Sequence, residues 1–178
     1  MNQTCTDFRV QRLLLALLLA LWGLTGAAAP PRVTITSDLG ADGKLATARQ
    51  LPIMLVFTAS DCSYCDLLER DILRPMLISG DYDDKVIIRK IVIDEQPSIR
   101  DFRGRRIAAD QLAQRYGVYV TPTILFLDSR GRELSERIVG INTVEMFGGR
   151  VDAAIAESRQ VLHDRGGRDA AMARRAAP

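Results

Sequence analysis

The sequence predicts an α/β domain in which a central mixed sheet is flanked by helices. Three observations predict it. Ile53 to Phe57 is an unbroken apolar run, the composition of a strand buried on both faces. It passes through a polar turn into Leu67, Leu68, Ile72 and Leu73 at helical spacing. A second apolar strand follows, Val86–Ile88 with Ile91–Ile93, and a strand–helix–strand order with so long a crossover suits parallel pairing. Further on, Ile124–Leu127, the turn signal Asp128-Ser129-Arg130-Gly131 and the partly alternating run Glu133–Val139 read as an antiparallel hairpin before a last helix.

Taken in order, residues 1–28 have the outline of a secretory signal peptide. Arg9 and Arg12 supply the positive region, Leu13 to Leu24 the apolar run, and Gly26, Ala27, Ala28 and Ala29 the small residues. Pro30 disfavours a cut after Ala29, so cleavage is expected after Ala27 or Ala28. The alternative is an uncleaved membrane anchor, since Val10 to Ala29 is borderline in length for a span. Residues 29–39 read as a linker with a short strand around Val33–Thr36. The domain proper is assigned to residues 40–162 and opens with a short helix, Gly40 to Gln50, ended before Pro52. The helix from Ser63 runs to about Arg74, where Pro75 either kinks it or opens a second short helix through Ile78. Residues 95–107, charged and holding Pro97 and Gly104, read as an irregular excursion. Ala108 to Tyr116 is a helix ended by Gly117. Thr143 is placed to cap the last helix, whose stripe is Val144, Phe147, Val151, Ile155 and Leu162. Residues 163–178, made largely of Gly, Ala and Arg, are expected to form a disordered basic tail.

Charge and cysteine usage narrow the function. The 178-residue chain carries a formal charge of +2, and losing Asp7, Arg9 and Arg12 with the signal peptide takes it to +1. That near-balance argues against nucleic acid as a partner. Cys5 leaves with the same segment, so Cys62 and Cys65 remain. One C-x-x-C in a chain exported to the oxidising periplasm points to dithiol–disulfide chemistry. Both cysteines open a helix, where free N–H groups and the positive dipole end favour a thiolate at Cys62. Cys65, three residues on over the same face, can attack a mixed disulfide at Cys62 and release the partner. A structural zinc site wants four N or S ligands, and the mature chain offers two cysteines and His163, so no metal is expected. A purely structural disulfide across so short a loop would stabilise little.

With these elements and motifs in place, residues 40–162 resemble thioredoxin. The resemblance rests on the strand before Cys-Ser-Tyr-Cys at 62–65, on Val-Thr-Pro-Thr at 120–123, and on the closing hairpin with Gly140 before the last helix. It implies a thioredoxin-like fold and a thiol–disulfide oxidoreductase with no cofactor beyond the Cys62–Cys65 pair. It implies a cis peptide before Pro122, facing the pair, with Thr121 and Pro122 holding an extended substrate segment by strand addition. Tyr64 is either a groove-shaping surface aromatic or a packing residue. Within the superfamily the chain is most similar to periplasmic oxidoreductases of the SoxW and TlpA type, whose partners are protein thiols and disulfides and a membrane or periplasmic electron donor; a monomer is expected. The chain departs from thioredoxin at Val56, which stands where thioredoxin has a buried aspartate, and at Asp61, Ser63 and Tyr64 around the cysteines. The proton-transfer step and the potential are therefore not carried over.

The direction of electron flow is argued from local charge. Asp61, Asp66 and Glu69 surround the pair, and no Lys or Arg precedes Arg70 in that helix. Carboxylates disfavour a thiolate, destabilise the reduced form and make the couple more reducing. The expectation is a reductase; a disulfide oxidant or isomerase, and a docking module with idle cysteines, are the alternatives.

Overall fold

The structure, a computed structural model, describes residues 31–176; the predicted signal peptide and Cys5 lie outside the described residues. The elements are α1 (Leu39–Arg49), β1 (Ile53–Thr58), α2 (Ser63–Leu68), a π-helical turn (Glu69–Leu73), α3 (Arg74–Ser79), β2 (Ile87–Val92), β3 (Ile99–Arg100), β4 (Arg106–Ile107), α4 (Ala109–Arg115), β5 (Thr123–Leu127), β6 (Ile138–Val139) and α5 (Val144–Ala176).

The main sheet has the order β2-β1-β5-β6. β1 is parallel to β2 and antiparallel to β5, and β5 is antiparallel to β6. Every residue of β1 is buried, as its apolar composition requires of a central strand covered on both faces. Met54 and Val56 pack on one side with Leu68, Phe147 and Val151, beneath α2 and α5. Ile53, Leu55 and Phe57 pack on the other with Leu39 of α1 and Leu112 of α4. The predicted strand at Val33–Thr36 survives as a short parallel bridge, with Thr36 N–H donating to Lys90 O and Lys90 N–H to Thr34 O, each at 2.9 Å.

Four segments differ from the sequence expectation. The helix after the cysteines reaches Ser79, but through a π-turn in which Arg74 N–H reaches back five residues to Glu69 O. Pro75, with no N–H to give to Asp71 O, makes the wider turn economical there. The excursion at 95–107 contains the β3–β4 hairpin, organised by Asp101. That carboxylate is 5% exposed and accepts the N–H groups of Arg103 and Arg105, both at 2.9 Å, and the guanidinium groups of Arg105 and Arg115. Burial opposes its charge, but the Arg105 N–H, Arg115 and the remaining donors outweigh it, and its pKa falls to about 2. The run Glu133–Val139 pairs in a ladder only at Ile138–Val139, because Arg137 turns aside to Tyr116 O at 2.6 Å and to Glu133. Finally, α5 continues through residues expected to be a disordered tail. Arg165 reaches Asp128 at 3.3 Å, and alanines beyond it favour the helix. His163 therefore sits within this helix, exposed, and not at its end.

Candidate active site

The turn between β1 and α2 is braced before it reaches the cysteines. Thr58 Oγ1 donates to Ile91 O at 3.2 Å. Ser60 N–H donates to both oxygens of Asp94, at 3.0 and 3.1 Å, and its hydroxyl donates to the same carboxylate. The Ser60 hydroxyl, against the opposing effect of desolvation, holds the Asp94 carboxyl below the usual carboxylate range.

Cys62 is the N-cap of α2, with extended backbone (φ −131°, ψ 93°). Its Sγ accepts Cys65 N–H at 3.2 Å, so the sulfur lies at the positive end of the helix. The two sulfurs form a disulfide of 2.06 Å with the Cα atoms 5.2 Å apart. Cys62 is half-buried and Cys65 is only 6% exposed, so Cys62 is the member a partner can reach.

The structure brings all five sequence-predicted site residues to this end of the sheet. The Thr121–Pro122 peptide is cis, and Thr121 Oγ1 donates to Cys62 Sγ at 3.5 Å. Pro122 is buried and its carbonyl accepts Gly140 N–H at 2.8 Å, which fixes the turn against β6. Tyr64 is 59% exposed, so it is a surface aromatic and not a packing residue. Tyr119 (83% exposed) and Val120 stand directly before Thr121 and are exposed apolar side chains; the sequence motif included Val120, and only Tyr119 was missed.

Beneath α2 the charge pattern also departs from the expectation. Val56 is fully buried, and its register partner on β2 is Lys90. Lys90 Nζ lies 2.9 Å from Glu69 Oε2, and Glu69 Oε1 accepts Val33 N–H at 3.4 Å. Glu69 therefore does not stand as an unpaired negative charge. The cation comes from another strand, which a count along the helix alone does not register. The signal for it was a lysine interrupting the apolar stretch Val86–Ile93. Among the described residues no His, Cys, Asp and Glu gather as a metal site, and no helix is long and apolar enough to cross a membrane.

A C-x-x-C disulfide at a helix start, beside a cis-proline turn on a mixed four-stranded sheet, defines the class of thioredoxin-like proteins. The family model for the thioredoxin-like domain matches residues 39–155, and the chain belongs to that family. Poplar thioredoxin h shares the fold with a TM-score of 0.50 at 17% identity, over 69% of this chain and 96% of that one. Thioredoxin from Fasciola hepatica superposes with a TM-score of 0.48 at 17% identity, over 71% of this chain and 99% of that one. In sequence the chain is 26% identical over 116 residues to the thiol:disulfide interchange protein DsbD of Ralstonia nicotianae, a match covering 65% of this chain and 17% of that protein. The chain thus spans only about a sixth of the curated relative it matches.

Proposed function

We propose that this chain is an exported thiol–disulfide oxidoreductase that reduces protein disulfides through Cys62 and Cys65. The observation that carries the reading is the asymmetric pair: Cys62 Sγ partly open beside Thr121, Cys65 buried behind it. In the reduced protein the Cys62 thiolate attacks a substrate disulfide. One substrate sulfur leaves as a thiolate and a mixed disulfide forms. Cys65 then attacks Cys62 Sγ, the Cys62–Cys65 bond closes, and the second substrate sulfur departs. The substrate gains two electrons and the pair loses two. An extended substrate segment lies along Thr121, with Tyr64 and Tyr119 as apolar flanks.

Asp61 and Asp66, both exposed near the pair, support the reducing direction, while the charge of Glu69 is offset by Lys90. The name of the Ralstonia relative, a thiol:disulfide interchange protein, supports dithiol partners for this chain. Regeneration requires a dithiol donor, periplasmic or in the membrane. The protein acts as a monomer in the periplasm after cleavage of residues 1–28.

The test is the equilibrium potential of the pair against glutathione, with a Cys62→Ser control. A value near about −270 mV, that of thioredoxin, supports a reductase; one near about −120 mV makes the protein an oxidant. Failure to equilibrate removes the enzyme reading in favour of a docking module. Fractionation of cells making the full chain distinguishes a released periplasmic protein from a membrane-anchored one.

A further inference from the structure

The pattern Asp-x-Arg-Gly-Arg occurs at 101–105 and again at 128–132, and both copies fold alike. In each, one oxygen of the aspartate accepts the N–H groups two and four residues on, every bond at 2.9 Å. The other oxygen accepts Nε of the last arginine, Arg105 at 3.2 Å and Arg132 at 2.7 Å. A distant arginine closes each cluster, Arg115 on Asp101 and Arg165 on Asp128. The middle arginine is treated differently. Arg103 and Arg130 give the aspartate only their backbone N–H, and both side chains are exposed. Neither guanidinium has a hydrogen bond or an ion pair among the described residues.

The two turns are locked against each other and against α1. A Cβ on Gly131 would lie 2.5 Å from the Phe102 ring and from the Tyr116 hydroxyl. One on Gly43 would run into Ser129 O and lie 3.4 Å from the same ring. Glycine at both positions lets the three segments close around Phe102. They enclose a groove of about 570 Å³, lined by Lys44 of α1, Arg100 of β3, Arg103 and Arg130. Lys44 also has no side-chain partner among the described residues. The lining holds one carboxylate, Asp38, which accepts Ala41 N–H at 2.9 Å and lies 3.8 Å from Arg100. Four cations and one carboxylate leave a surplus of positive charge there. Gathered like charges repel, so the fold gains nothing from the surplus.

We infer that this groove docks an acidic segment of a partner protein, its carboxylates pairing with Lys44, Arg103 and Arg130. A guanidinium fork matches a carboxylate in two parallel hydrogen bonds. The aspartates already fix both turn backbones, so little ordering is needed when the segment arrives. The shape selects the class of partner. The groove is concave and none of the exposed large apolar side chains lines it, whereas a bilayer contact wants apolar anchors on an open face. The docking site also stands apart from the disulfide. Leu127, which leads into the second turn, pairs with Ile53, at the end of β1 remote from the cysteines. A segment seated at Arg130 thus leaves Cys62 open.

The test uses the oxidised full chain and a short fluorescein-labelled peptide of alternating glutamate and glycine, read by anisotropy. Amide resonances of Lys44, Arg103 and Arg130 should move on titration, and binding should weaken about tenfold when salt is raised to about 0.5 M. Arg103→Ala combined with Arg130→Ala should lose about tenfold in affinity, the size of two exposed ion pairs. Arg150→Ala combined with Arg168→Ala removes the same charge from exposed positions on α5 and should stay within about twofold. Arg103→Lys with Arg130→Lys should recover only part of the binding, since the charge returns without the fork. Equal losses in the two alanine pairs, resonance shifts centred elsewhere, or no saturation below about 1 mM overturns the inference. So does displacement of the peptide by an equal concentration of inorganic phosphate, which would make the groove a small-anion site, or stronger binding to phosphatidylglycerol vesicles than to the peptide. Cys62→Ser should bind the peptide as the wild type does, so failure of the exchange reaction leaves this result standing.

Discussion

Replacing Asp101 tests whether one buried carboxylate organises the segment between β2 and α4. The side chain accepts two backbone N–H groups and three guanidinium contacts from two arginines. Asp101→Ala removes the acceptor of the Arg103 and Arg105 N–H groups in a turn whose tip is exposed. At about 0.5–1 kcal/mol each, plus the lost charge-assisted bonds, the expected cost is about 2–3 kcal/mol. Asp101→Asn keeps an oxygen for the N–H groups and loses only the charge. The native carboxyl is lowered to about 2 from 3.8, equivalent to ~2 kcal/mol before screening. Arg105 and Arg115 are half exposed, so solvent screening leaves about 1–1.5 kcal/mol. Because the folded value is depressed, this stability is present above pH ~4 and is lost as pH falls towards 2. Urea unfolding at a series of pH values, with wild type and Asp101→Asn compared at each, reads the difference directly. The gap should be full at pH 7 and close to nothing near pH 2. A gap that is absent at neutral pH, or that persists undiminished in acid, would refute the reasoning.

Other outcomes follow from the same structure. Phe147→Ala, at a side chain 1% exposed between α5 and the sheet, should cost about 3–5 kcal/mol in chemical denaturation. Tyr82 is raised to about 12 by its hydrogen bond to Asp152, and Tyr116 to about 12 by burial, so a spectrophotometric titration should show two tyrosines ionising late. Their neutral forms favour the fold, a contribution present below pH ~10 and lost as pH rises through about 12. Asp94→Asn should speed hydrogen exchange at the Ser60 amide; in the wild type the same protection should fade in acid, as the depressed Asp94 carboxyl takes up its proton.

Much of the architecture was legible because single stretches carried it. Ile53–Thr58 reads as a central strand from its composition, and Gly117 and Gly140 mark ends where the backbone adopts positive φ. The cysteine pair was legible for the same local reason. What escaped was assembled across distance. Lys90 meets Glu69, and Asp94 meets Ser60, only because β1 and β2 run parallel in one particular register. The β3–β4 hairpin escaped because a buried carboxylate makes it, and strand propensity does not. The last turns of α5 escaped because Gly166 and Gly167 look like breakers, while the alanines beyond them support the helix.

The π-turn at Glu69–Leu73 acts as a phase correction. Leu68 and Leu73 both enter the core beside Phe147, yet five residues of regular α-helix would set them ~140° apart around the axis. Bonds that reach back five residues widen the coil and bring the two leucines onto one side. The segment that presents the disulfide and the segment that anchors it can then each meet its own surroundings without sharing a common angular frame. Removing one residue from 69–73 would leave the cysteines capped as they are and put Leu68 and Leu73 four residues apart, so that a regular α-turn would keep Leu73 and Met76 on the core side. The π-turn thus accommodates one residue more than a regular helix could hold between the two leucines.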